Sequence, residues 1–351
     1  MIGAVFKEDL AEIAGAGEIP WPELAGASVL VTGATGLVGG ALVRALAAAG
    51  ARHGLGLRLL AHGRDAGRGE SLARDCGAEF LAGDVRAPGL AALISGPVDY
   101  IFHAAALTRS ADMAARPVEV ISTEIDGLRN VLELAVLKRP RSLIYLSSWE
   151  VYGQTSLAEV AEADLGGLDL SSPRSSYPLG KRLGEHLGLA YRAQYGTRFQ
   201  AARLARTFGA GSPSDDDPRV WSQFAHSILA GRNIVLHTDG GTRGNFCYTA
   251  DAVRALLMLL LKGEDGQVYN VANPEAGLTI RETAELVAAR FGGGAVSVVV
   301  QAPPDLAGRG YGPPTGFRLN IDKISRLGWR PRYGLAEMFG RLLADWRGRA
   351  Y

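Results

Sequence analysis

Hydrophobic positions in this chain alternate between two periods. Short apolar runs, "SVLVTG", "LRLLAHG", "EFLAGD", "DYIFHAA" and "SLIYLSS", read as buried strands. Between them, apolar residues recur at helical spacing in "LVGGALVRALAAAG", around 68–76, briefly near 88–95 and around 117–138. A further helix, "PLGKRLGEHLGLAYRAQYG", leads into the strand "FQAARLA". Strand and helix alternating in this way predict right-handed βαβ crossovers and an α/β fold with a doubly wound, mostly parallel Rossmann-type sheet. Ligands of such sheets bind at the carboxyl ends of the strands.

The flanking segments break this rhythm. Residues 1–27 mix apolar and acidic positions at helical spacing before Pro20 and Pro22, which predicts an N-terminal helical extension packed on the main domain. Beyond about 206, "GAGSPSDDDPRV" and "QAPPDLAGRGYGPPTG" read as loops among irregularly spaced helices and short strands. The expected division is a dinucleotide-binding domain over 28–205 with returns from about 245–272. A smaller α+β substrate lobe is drawn mainly from 206–351.

Composition narrows the class without changing the fold. The chain has 351 residues, 47% hydrophobic and 21% charged, which is ordinary globular usage. Its net charge of +1 offers no broad field for nucleic acid or an anionic membrane, so an anionic ligand must be caught by local groups. Cys76 and Cys247 form no CxxC pair and the histidines show no HxxxH or HxxEH spacing, so no metal site is expected. Without a long uncharged apolar run or a leader-like start, a soluble cytoplasmic protein is expected.

The first strand runs into "TGATGLVGG", with Gly33, Gly36 and Gly39 spaced GxxGxxG at the start of a helix. The first glycine permits the tight turn, the second a close approach to a pyrophosphate, the third close helix packing; the helix N-terminus adds N–H donors. Thr35, Leu37 and Val38 complete this candidate cradle. At the next strand ends, Asp84 and Val85 are placed to meet an adenine, while Ala104 and Ala105 leave room for a cofactor to pass. Arg64, after the second strand, suits a 2′-phosphate and leans toward NADP; Asp65 keeps NAD open.

"SSYPLGK" places Tyr177 and Lys181 at i and i+4, on one helical face. A cationic lysine beside a phenol is expected to lower its pKa and ready it for proton exchange with a sugar hydroxyl. Alone this pair is a weak signal. Ser147 and Ser148, at the end of the strand "SLIYLSS", give it company.

In this order and spacing, "TGATGLVG", "SSWEVYG" and "YPLGK" resemble the extended short-chain dehydrogenase/reductase family of NAD(P)-dependent nucleotide-sugar epimerases, dehydratases and decarboxylases. The resemblance continues through "ARLARTFGAG", "GGTRGNFCYTADAV", "GQVYNVAN" and "LGWRP", over roughly residues 28–335. It implies Ser148, Tyr177 and Lys181 as the catalytic trio and Glu150 as a further carboxylate acting after C4 oxidation. It places Thr108, Trp149, Arg206, Arg219, Arg243 and Arg318 on the substrate side, the last two gripping a diphosphate. Trp149 stands where dehydratases acting on dTDP-glucose carry an acidic residue. Arg206 and Glu124 stand where relatives carry asparagines. The implied reaction modifies a nucleotide-activated sugar through a transient 4-keto intermediate. Glu150 favours dehydratase or decarboxylase chemistry; 4-epimerisation, NADP-dependent ketone reduction and a silent dinucleotide-binding protein are the alternatives. Relatives dimerise through helices here near 117–138 and 177–195, so a homodimer is expected, although the same apolar faces can pack on the sheet.

Overall fold

The structure, a computed structural model, describes residues 2–212, 217–301 and 314–348. Most of "QAPPDLAGRGYGPPTG" and part of "GAGSPSDDDPRV" lie outside these residues. Seven strands form the central sheet: β1 (Ser28–Thr32), β2 (Arg58–Gly63), β3 (Glu79–Ala82), β4 (Tyr100–His103), β5 (Ser142–Ser148), β7 (Gln200–Leu204) and β11 (Val268–Val271). Their order is β11-β7-β5-β4-β1-β2-β3, every pairing parallel. Because helices cover both faces, β1, β4 and β5 are buried throughout, which is why their sequences read as unbroken apolar runs. The strand order reverses beside β1, opening a crevice at the carboxyl ends of β1 and β4. The register sets His62, Thr32, His103 and Tyr145 side by side across four adjacent strands at that edge.

Among the described residues, three two-stranded parallel pairs lie outside this sheet: β6 (Glu159–Val160) with β13 (Arg318–Leu319), β8 (Arg206–Phe208) with β10 (Phe246–Tyr248), and β9 (Ile234–Leu236) with β12 (Val298–Val300). The extension is a helix, α1 (Ala4–Ala14), and a short turn at Trp21–Leu24. It packs on α2 (Leu37–His53) and, further along the chain, on the almost wholly buried helix Thr249–Lys262 and the helix Leu335–Gly348. Carboxylates fasten it: Asp9 binds Arg341 and accepts from Tyr248, and Glu18 binds Arg254. The segment near 88–95 is a single 3-10 turn, Leu90–Leu93, entered through Gly89. With only one turn between Gly89 and the next strand, no α-helix is built there.

Two long helices carry the site, α5 (Pro117–Lys138) and α6 (Ser176–Tyr195), with α3 (Ala66–Cys76) and α4 (Ser110–Ala115) preceding them. Glycines at 180, 184 and 188 line one face of α6. A Cβ at Gly180 would lie 3.0 Å from Glu124 Cβ, at Gly184 2.5 Å from the Tyr145 hydroxyl, and at Gly188 2.1 Å from the Phe199 ring. These absences let α6 sit directly on α5 and β5. Accordingly, Gly188→Ala should destabilise by about 1–3 kcal/mol through overpacking, more than its gain in helix propensity. Gly67→Ala in α3, where the nearest neighbour is 3.7 Å away, should instead stabilise by about 0.5 kcal/mol. Thermal unfolding of the two variants measures the contrast.

Candidate active site

The glycine turn is built for a close passage of backbone. Gly33 adopts φ +68°, and a Cβ there would lie 2.7 Å from the Ala104 and Ala105 backbone. A Cβ on Gly39 would meet the Gly33 carbonyl at 2.3 Å. Gly36 caps α2, whose first residues are Leu37 and Val38, and Thr35 lies against Gly63. Loop, helix N-terminus and the small residues 104–105 therefore enclose one cradle, and this donor set fits a dinucleotide. Asp84, at the end of β3, is gripped by Arg86 through its side chain and backbone N–H, which holds the carboxyl down to about 2. Val85 is buried, and Arg64 acts on Asp84 from an exposed position. Asp65 caps α3, accepting from the Arg68 backbone N–H at 3.0 Å.

The carboxyl edge of β5 supplies the polar residues. Ser148 ends the strand, and its hydroxyl accepts from the Glu150 N–H at 3.2 Å, starting a 3-10 turn over Trp149–Tyr152. The Glu150 carboxylate meets Arg174 at 2.8 Å. Arg206, at the start of β8, lies 4.3 Å over the Trp149 ring and is half-buried. Among the described residues it makes no carboxylate ion pair within 4.0 Å; its side chain donates to the Arg243 carbonyl at 3.5 Å. Burial pushes its guanidinium down to about 10, with Arg174 adding to the effect and Glu150 opposing it.

Tyr177 sits on α6, buried in a small apolar group with Leu107, Met113 and Val120. Lys181 Nζ lies 5.6 Å from its ring, donates to the Leu146 carbonyl at 2.7 Å and pairs with Glu124 at 2.8 Å. The expectation that Lys181 lowers the phenol's pKa is overturned: it is raised, first by burial, then by Glu124 and Glu150, with Ser148 and Arg174 pulling it back. Glu124 supplies the charge that the Tyr-Lys spacing alone did not reveal.

Not every candidate arginine is equally placed. Arg243 donates to the Gly277 carbonyl, and Arg318 flanks the same glycine while pairing with Glu159 at 2.5 Å. Arg219 is clamped by Asp217 and lies over Trp221, so its Nε and one Nη2 donor are already engaged. Thr108 is exposed beyond the small-residue segment.

Three contributors went unread in the sequence. Arg174 lies in a serine-rich turn that hides it. Tyr145 donates to Glu124 at 2.9 Å, and Glu185, one turn after Lys181, receives Ser147 and Arg203. A tyrosine inside an apolar strand must find a partner for its hydroxyl, which was the available signal.

A family model described as the NAD dependent epimerase/dehydratase family matches residues 29–272. The chain belongs to this family. It is 32% identical over 254 residues to UDP-glucuronic acid decarboxylase 5 of Arabidopsis thaliana, covering 72% of this chain and 71% of that one. A solved dTDP-glucose 4,6-dehydratase of Streptomyces venezuelae with NAD and TYD bound is 25% identical, with a TM-score of 0.74 over 91% of this chain and 97% of the other. UDP-glucose 4-epimerase of Thermotoga maritima, solved with UDP-glucose, shares the fold at a TM-score of 0.79 and 21% identity, covering 92% and 100%. Among the described residues, no helix is long and apolar enough to cross a membrane.

Below the crevice, His103 donates or accepts at Thr32 Oγ1 over 2.7 Å and is fully enclosed. Burial, aided by Lys181 and His62, drives it down to about 3 from 6.5. The folded chain thus refuses a proton that the unfolded chain takes up near pH 6.5, so stability is complete above that pH and falls toward pH 3, by about 1.4 kcal/mol per unit. His103→Asn should flatten this acid limb in denaturant titrations between pH 6.5 and 5, at some cost in stability at neutral pH.

Proposed function

We propose that the protein decarboxylates a nucleotide-linked hexuronic acid through a 4-keto sugar, using tightly held NAD. The carrying observation is Arg206, a half-buried guanidinium stacked on Trp149 and without a carboxylate partner among the described residues, beside the turn that bears Ser148 and Glu150. A sugar carboxylate supplies the missing countercharge. The 32% identical decarboxylase supports the same reading.

In this reading Gly33, Thr35, Gly36, Leu37, Val38 and Gly39 hold the pyrophosphate, Asp84 and Val85 the adenosine end, and Ala104 and Ala105 the close passage toward Tyr177. NAD, when bound, supplies hydride acceptance from C4 and its later return. Tyr177 takes the C4 hydroxyl proton and Ser148 bonds the same oxygen. With a ketone at C4, the C6 carboxylate is a β-keto acid. The C5–C6 electron pair moves toward the ketone, carbon dioxide leaves, and Glu150 relays to C5 a proton that it takes from water. Arg243 and Arg318 grip the diphosphate, with the substrate side drawn mainly from residues after 206. Arg64 keeps NADP in contention, because Asp65 is already spent on its helix cap. The exposed apolar residues Val118, Ile121 and Leu183 of α5 and α6 support a homodimer. The free thiols of Cys76 and Cys247 fit a cytoplasmic setting.

Denaturing the purified protein and identifying the released nucleotide tests the cofactor: NAD is expected, and an empty site turning over added NADPH overturns this assignment. Supplying UDP-, dTDP-, GDP- and CDP-sugars and uronates, with products followed by NMR, should show carbon dioxide released from a uronate. Dehydration or inversion of neutral sugars without such release overturns it. Arg206→Gln should cost about 10–100-fold in kcat/KM for the uronate, the worth of a charge-assisted hydrogen bond. Glu150→Gln should lower turnover by about 100-fold or more while cofactor reduction persists.

A further inference from the structure

The guanidinium on the sugar side is aimed by an aromatic surface. Arg206 Cζ lies 4.3 Å over the Trp149 ring. Trp149 opens the 3-10 turn that Ser148 caps, and its ring leans on Phe317 at 6.0 Å and 56°. Phe317 is 0% exposed and packs edge-to-face with Tyr152 at 5.8 Å, so the core backs this surface. Asn245 ties the two sides together. Its carbonyl accepts from the Arg206 N–H at 2.9 Å, while its side chain donates to the Phe317 carbonyl at 3.0 Å and accepts from the Leu319 N–H at 3.0 Å. Backbone and platform are thereby held in one frame. The bond from the Arg206 side chain to the Arg243 carbonyl is long at 3.5 Å, so among the described residues the ring face restrains that side chain more firmly.

We propose that Trp149 is a positioning residue that sets uronate specificity: it holds Arg206 against its face so that the edge of the guanidinium meets the C6 carboxylate as a fork. This rests on the reading of the substrate as a nucleotide-linked uronate. A weakly hydrated planar cation is attracted to an aromatic face, and that contact leaves its in-plane N–H donors to a second partner. Bidentate pairing with a carboxylate uses those same donors. An arginine free to swing would have to surrender its rotamer freedom when the sugar arrives, and the platform removes that cost beforehand. Neighbouring charges are occupied elsewhere. Glu150 is engaged by Arg174 at 2.8 Å, and Arg243 donates to the Gly277 carbonyl. A neutral hexose offers a single uncharged oxygen at C6, so it gains far less from an aimed fork than an oxidised sugar does.

The first test needs no substrate. The ring current of Trp149 should shift the Arg206 Hε resonance upfield in NMR spectra of the full chain, the resonance being assigned by its loss in Arg206→Gln. In Trp149→Leu, which keeps apolar bulk but removes the aromatic face, it should return to the position of exposed arginines. The second test compares KM for UDP-glucuronate with the Ki of UDP-glucose as a competitor. Trp149→Leu should raise the ratio of KM to Ki by about 3–30-fold, and Trp149→Phe, which keeps an aromatic face, should recover most of that loss. In an Arg206→Gln chain the same Trp149→Leu change should alter the ratio by less than about 2-fold, because the group it aims is gone. An unshifted wild-type Arg206 overturns the proposal. So does a loss in Trp149→Leu that is equal for both ligands, or as large in the Arg206→Gln background, since a merely structural wall would give either. Should Trp149→Leu not fold, the wild-type resonance decides alone. Carbon dioxide release with an unmoved ratio sinks this proposal alone, whereas failure of every uronate in the panel removes the reading beneath it too.

Discussion

The seating of α6 directly on α5 and β5 is the constraint on which the site depends. Side chains on α6 would hold the helices apart; glycines at 180, 184 and 188 remove that obstacle, and Glu124, Tyr145 and Phe199 occupy the space. Only at this range can Lys181 reach both the Leu146 carbonyl and Glu124. A second buried pair, Glu185 with Arg203, lies one helical turn further along. Buried ion pairs add little net stability against apolar replacements, yet breaking one costs about 3–5 kcal/mol. They therefore fix where α6 lies more than they raise the stability of the fold, and Tyr177 inherits that placement.

From this frame the chemistry spreads outward in layers of decreasing enclosure. Innermost are His103, Glu124 and Lys181, which meet no solvent. Next comes Tyr177 beneath its small apolar cover, and then the Ser148–Glu150 turn with Arg174. Arg206 and Trp149 form the outer wall, half-open and short of negative charge. A chain of near-zero net charge has thus concentrated positive groups where an anion would enter, while its inner carboxylate is already neutralised.

Much of this frame was legible in the residues. Parallel strands buried on both faces leave unbroken apolar runs, so β1, β4 and β5 announced themselves, and the sheet's carboxyl edge followed from where "SLIYLSS" turns polar. The turn at Gly33 and the Tyr177–Lys181 spacing are local patterns, readable because one stretch of chain contains each. What stayed hidden were relations between distant stretches. Glu124 meets Lys181 across two helices, Arg174 meets Glu150 across a loop, and Asp217 occupies Arg219 two positions away in a segment that reads as plain loop. Pairings of this kind cancel or redirect charges that composition counts as available. The phenol's environment was misjudged for that reason, since Lys181 was visible and its counterion was not identified as such.

The edge strand β11 has a consequence in time. It pairs with β7 but leaves the ribosome only after the whole excursion through β8, β10 and the buried helix Thr249–Lys262. Until then β7 presents an unsatisfied row of N–H and C=O groups on a nascent chain that already holds the glycine turn, Ser148 and the Tyr177 helix. Such an edge is a template for wrong partners. The catalytic half of the molecule is therefore synthesised first but protected last.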